Sequence, residues 1–112
     1  MSLESNLNCR DACQKCATAC DECASVNLRD DNKETTRASI QLALECALLC
    51  DTTTRILERE SKFADAVCLA CAELCRECAE ECRKHSEQHF HDCADACDAC
   101  ATECEMFAGI LV

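Results

Sequence analysis

Cysteine recurs along this chain at alternating steps of three and four. From Cys9 to Cys23 the order is C-x3-C-x2-C-x3-C-x2-C, through Cys13, Cys16 and Cys20. From Cys68 to Cys82 it is C-x2-C-x3-C-x2-C-x3-C, through Cys71, Cys75 and Cys78. Cys93, Cys97, Cys100 and Cys104 follow C-x3-C-x2-C-x3-C, and Cys46 with Cys50 adds one further pair. Thiols at such density can serve as small hydrophobes, form disulfides, carry redox chemistry or bind soft metal ions. The alternating steps are the a and d positions of a heptad. At ~100° per residue each run falls within an arc of roughly 60–80°, one thiol stripe per helix.

The elements that must hold these stripes are helices. Proline is absent, glycine occurs once in 112 residues, and there is no Tyr or Trp. Such a composition carries almost no turn chemistry for a β-fold. The polar breaks at 27–32 and 84–87 and a candidate N-cap at Ser61 predict helices over about 6–27, 32–59, 62–84 and 87–107. Asp31 with Glu34 has capping-box spacing, and Gly109 stands where the last helix should stop. The weakest boundary is Arg59–Lys62, which contains no strong breaker. Long helices and short loops predict a single all-α domain over 1–112, an antiparallel up-down-up-down four-helix bundle with a Cys-lined core. The first and fourth helices have Cys on the stripe and Ala beside it, with few larger apolar residues between their ends. If the thiols did not face inward, these helices would have nothing to bury.

A role for Cys as core filler alone does not explain sixteen positions, since Leu or Ile stabilises by about 0.8 kcal/mol per added methylene. Disulfides need opposed partners, whereas neighbours on one helix lie side by side. Thioredoxin-like activation favours a helix N-terminus, and iron–sulfur clusters are usually ligated from loops. Zinc or cadmium in four-thiolate sites remains an alternative, as does a redox-active or disulfide-bonded helical protein. Cu(I) accounts for more of the pattern. It selects thiolate, and seven i, i+4 pairs are available: 9/13, 16/20, 46/50, 71/75, 78/82, 93/97 and 100/104. One monovalent ion per thiolate also neutralises a buried core, which predicts on the order of one Cu(I) per cysteine.

His85, His89 and His91 cluster at the third loop. In an up-down bundle that loop shares an end with residues 26–32, just outside Cys23, Cys82 and Cys93. The three imidazoles are therefore either solvated loop residues or a port that passes metal to the first thiols. Met106 lies toward the other end as a candidate accessory thioether ligand, or core filler.

In-phase C-x3-C stripes on four helices, with His near one end, resemble the bacterial copper storage proteins. The resemblance covers nearly the whole chain. It implies a thiolate-lined bundle that stores Cu(I) and commonly assembles into tetramers, in exported and cytosolic forms. The departure is the second helix, whose inward steps beside Cys46 and Cys50 hold Ser39, Ala43, Thr53 and Leu57.

A net charge of −11 argues against nucleic acid and anionic membrane as partners. No signal peptide or membrane span is read, so a cytoplasmic protein is expected. Copper ions and copper chaperones are the expected partners. Ile40, Leu44 and Leu48 fall ~120–160° from Cys46 and predict an apolar outer patch, hence a homo-oligomer. No nucleophile–base pair, phosphate loop or facial triad is present, so no enzyme is expected.

Overall fold

A computed structural model describes residues 3–28 and 33–110. Four helices run α1 Leu3–Leu28, α2 Lys33–Glu58, α3 Ala64–Cys82 and α4 Gln88–Phe107. Each packs against two neighbours: α1 on α2 and α4, and α3 on α2 and α4. The bundle measures 45 × 23 × 18 Å. Both α2 and α4 begin one residue after their expected starts. Asp31, and with it the capping box to Glu34, lies outside the described residues.

Two helix ends use the same device. At the end of α2, Glu60 N–H bonds to Leu57 C=O at 3.0 Å and Ser61 N–H to Ile56 C=O at 3.4 Å. At the end of α4, Gly109 N–H bonds to Met106 C=O and Ile110 N–H to Glu105 C=O, both at 3.1 Å. Both are Schellman motifs, which need a left-handed residue at the turn. Gly109 takes φ 82° and Glu60 takes φ 51°. The breaker missing from the sequence at Arg59–Lys62 is thus a glutamate in a glycine conformation. Ser61 is not the N-cap of α3; Phe63 holds that position without a side-chain cap. Ser61 Oγ instead accepts the Phe63 N–H at 3.0 Å, inside the turn, so α3 starts two residues later than expected.

The core is made of cysteine and alanine, with few larger side chains. All sixteen cysteines are buried and unbridged. Beside the stripes lie buried Ala17, Ala24, Ala43, Ala47, Ala72, Ala79, Ala94 and Ala101. Alanine lets the helices approach closely enough for sulfur to meet sulfur. On the outer face, Arg76 donates to Asp98 at 3.2 Å and Glu105 at 2.6 Å, and Arg83 to Asp95 at 3.2 Å. These exposed pairs fasten α3 to α4 only weakly, since solvent screens them. No described helix is long and apolar enough to cross a membrane.

Candidate metal centre

Heptad spacing turns each stripe inward, and the four stripes meet on the bundle axis. Sulfurs on different helices then lie within reach of one ion. Cys16 Sγ is 3.8 Å from Cys46, 3.9 Å from Cys75 and 3.7 Å from Cys97. Cys46 is 3.4 Å from Cys75, and Cys50 is 3.7 Å from Cys71 and 3.8 Å from Cys100. Within one helix, Cys16–Cys20 is 3.9 Å, while Cys46–Cys50 and Cys71–Cys75 are 4.0 Å. A metal–thiolate bond of about 2.3 Å requires sulfurs about 3.8 Å apart in a tetrahedron and about 4.0 Å apart in a triangle. The core already has those edges. It needs only to lose protons.

Four-thiol sets of this kind include Cys13/Cys71/Cys100/Cys104, Cys16/Cys46/Cys50/Cys75 and Cys20/Cys78/Cys93/Cys97. The sets overlap: Cys16 and Cys46 also join Cys20 and Cys97, and Cys50, Cys71, Cys75 and Cys100 form another. A shared thiolate must bridge ions, which favours a cluster over isolated sites. Charge sets the loading: the buried thiolates are neutralised by one monovalent ion each, or by one divalent ion for every two.

Protonation follows the same crowding. Cys97 and Cys104 are held well above the ordinary thiol range, first by hydrogen bonds to neighbouring thiols, led by Cys16 and Cys100, and then by burial. At Cys23 the Cys82 thiol favours ionisation, but the Cys93 thiol and burial outweigh it and push the group up to about 12. Cys16 and Cys71 go the other way, because neighbouring thiols, led by Cys100, donate to their ionised form. Neighbouring thiols in one crowded column are thus pulled in opposite directions, some toward ionisation and some toward the protonated form.

Each end of the thiol column is closed by residues that lie beyond the last cysteines. At one end these are Asn27, Ser39, His85 and Phe90. Asn27 Nδ2 donates to Cys23 Sγ at 3.5 Å, and Asn27 Oδ1 is 2.9 Å from His89 Nε2. Ser39 Oγ is 2.9 Å from His85 Nε2. Phe90 is fully buried, stacked on His85 at 4.0 Å and tilted against His89 at 4.5 Å. At the other end sit Leu57, Ala64 and Phe107, with Asn6 Nδ2 donating to Leu57 C=O at 3.0 Å.

The structure therefore brings all sixteen expected cysteines together. It places His85, His89 and His91 half-buried at the end where Cys23, Cys82 and Cys93 lie, not fully solvated. Met106 stays half exposed on the outer side of α4. Ser39, Ala43, Thr53 and Leu57 do occupy the inward steps of α2, all buried. Ile40 departs from expectation: it is buried, so the outer patch of α2 reduces to Leu44 and Leu48. Asn27 was read as part of a polar break. It lies instead inside α1, four residues after Cys23, where a helix continued by one turn would have put it.

Geometry of this kind defines a class: a helical bundle that holds soft metal ions on a column of thiols. The family model described as Copper storage protein matches residues 2–109, and the chain belongs to that family. Three solved structures are similar along almost their whole length. The Cu(I)-bound copper storage protein BsCsp3 is 32% identical, with a TM-score of 0.90, over 94% of this chain and 99% of that one. The apo form of copper storage protein 3 from Bacillus subtilis is 34% identical, with a TM-score of 0.84, over 91% and 97%. A cytosolic copper storage protein from Streptomyces lividans, carrying five coppers, is 30% identical, with a TM-score of 0.91, over 97% and 96%. No curated protein shows a significant match. High-capacity Cu(I) storage is the function of this chain, and multiple Cu(I) ions are its cargo.

Proposed function

We propose that all sixteen cysteines, Cys9 through Cys104, are Cu(I) ligands, and that the bundle is one storage domain without catalysis. The observation that carries this is the overlap of the four-thiol sets, whose sulfurs lie within 4.8 Å of one another, so that a thiolate shared by two filled sets bridges ions. Charge balance then sets capacity at about one Cu(I) per thiolate. Of the three histidines, His89 is the one placed to pass copper to thiolate, at the level of Cys23 and Cys93. The Streptomyces lividans relative described as cytosolic supports a cytoplasmic location, where thiols stay reduced and a copper chaperone is the natural donor. Exposed Leu44 and Leu48 on α2 support a homo-oligomer, with a tetramer favoured, built partly on that helix.

The test is a Cu(I) titration of the reduced protein against a competing chelator. Saturation well above one ion per two cysteines is the expected result. Saturation at that ratio would instead assign isolated sites, and Cys→Ser changes at Cys46 and Cys50 should lower the plateau without unfolding the bundle.

A further inference from the structure

The histidine end is not open along the axis. Asn27, Ser39, His85 and Phe90 close it as a layer, tied together through His89 by the contacts described above. An ion arriving along the axis would have to displace fully buried Phe90 from between two imidazoles. Beside this layer, between α1 and α4, lies a cavity of about 120 Å³. Its inner wall includes Cys23 and Cys93, and its rim includes His89, Glu22 and Asp92. A second observation points to the same place. Thirteen of the sixteen thiols have no solvent contact; Cys23 retains 2%, and Cys93 and Cys71 retain 1% each. The two thiols that line this cavity are thus among the three that touch solvent at all.

We propose that this lateral opening between α1 and α4, rather than the end of the bundle, is where Cu(I) enters the thiol column, passing His89 to reach Cys23 and Cys93. The proposal rests on the storage reading and names its route. The volume holds several water molecules, and so admits a monovalent ion with one or two small ligands, but not a folded domain. Glu22 and Asp92 are exposed on the rim and give it the negative potential that gathers a cation. The donor that fits is therefore a small Cu(I) complex, or a chaperone that presents its thiolates at the tip of a loop.

Stopped-flow uptake from a weak Cu(I) chelator complex tests the route. Ala19 is half exposed on the α1 side of the cavity, so Ala19→Leu should cover the opening. Uptake is expected to slow severalfold at unchanged final stoichiometry, while His85→Ala, which loosens only the axial layer, leaves the rate near that of the parent. Parent-like uptake by Ala19→Leu together with slowed or quickened uptake by His85→Ala would overturn the lateral route. A second measurement needs no variant: a short iodoacetamide pulse on the reduced, metal-free protein, read by peptide mass spectrometry. Cys23 and Cys93 should be alkylated first, and earliest labelling at Cys82 or Cys71 would count against the proposal. Loss of stoichiometry in the parent itself would sink the storage reading and leave the labelling result to judge the opening alone.

Discussion

Asn27 shows how much one side chain carries at the edge of the thiol column. A thiolate accepts but cannot donate, so an ionised or copper-bound Cys23 fixes Asn27 with Nδ2 toward sulfur. Asn27 Oδ1 must then accept from His89 Nε2–H, which leaves the lone pair on His89 Nδ1. Loading and imidazole tautomer are coupled through one amide. Asn27→Ala removes both bonds at a buried site and should cost about 1–3 kcal/mol, measured by urea denaturation of the apo protein. Equal stability would show that neither bond is formed in solution. This residue was illegible in the sequence for a physical reason: Asn-Leu-Arg-Asp-Asp-Asn reads as a turn. Its partners are Cys23, one turn back on α1, and His89 on α4, 62 residues away, and the second is invisible to local spacing.

At the scale of the helix, spacing was enough to find the stripes but not their ends. The rule that places Cys93, Cys97, Cys100 and Cys104 inward also places Phe90 and Phe107 inward, three residues beyond either end. Those two phenylalanines are buried in the end layers, where the inward stripe continues past its last sulfurs. The α2–α3 boundary was uncertain because its left-handed residue is Glu60, which no composition signal marks. A side chain in that conformation costs about 1–2 kcal/mol, so Glu60→Gly should raise the unfolding free energy by about 1 kcal/mol, seen as a higher urea midpoint. An unchanged or lowered midpoint would show that the Glu60 side chain makes up that cost elsewhere. The thiol gap in α2 gives a test of capacity. Thr53 is fully buried one turn beyond Cys50, its hydroxyl donating to Leu49 C=O at 2.7 Å. Thr53→Cys should raise the Cu(I) plateau by about one ion. No increase would mean that this level of the column has no room for metal.

The whole molecule ties folding to proton occupancy. Cys23 titrates near 9.0 when the chain is unfolded and is pushed up to about 12 in the fold. A raised folded value means that the contribution to stability is complete below pH 9 and is lost as pH rises toward 12. The Cys23 contribution should therefore be level through neutral pH and fall above pH 9, so Cys23→Ser should lessen the decline of the apo denaturation midpoint there; an unchanged decline would contradict a Cys23 held protonated by the fold. Copper reverses the dependence, because each ion displaces a proton, and the loaded bundle should tolerate alkali better than the empty one. The bundle class and the inward thiols were readable from period alone. Which thiols meet solvent was not, since that depends on the cavity between α1 and α4 beside His89.

Every sulfur lies inside, and this has a consequence for how the protein is seen from outside. When Cu(I) replaces H⁺ one for one, net charge does not change, and the exterior keeps its formal value of −11. Empty and full molecules then present the same acidic coat, and isoelectric focusing under native conditions should not separate them. A band that shifts with loading would mean that copper and protons are not exchanged in equal number. If the bands coincide, the fill level of the store is silent to any partner that reads only the surface. It can be sensed only where the interior shows through.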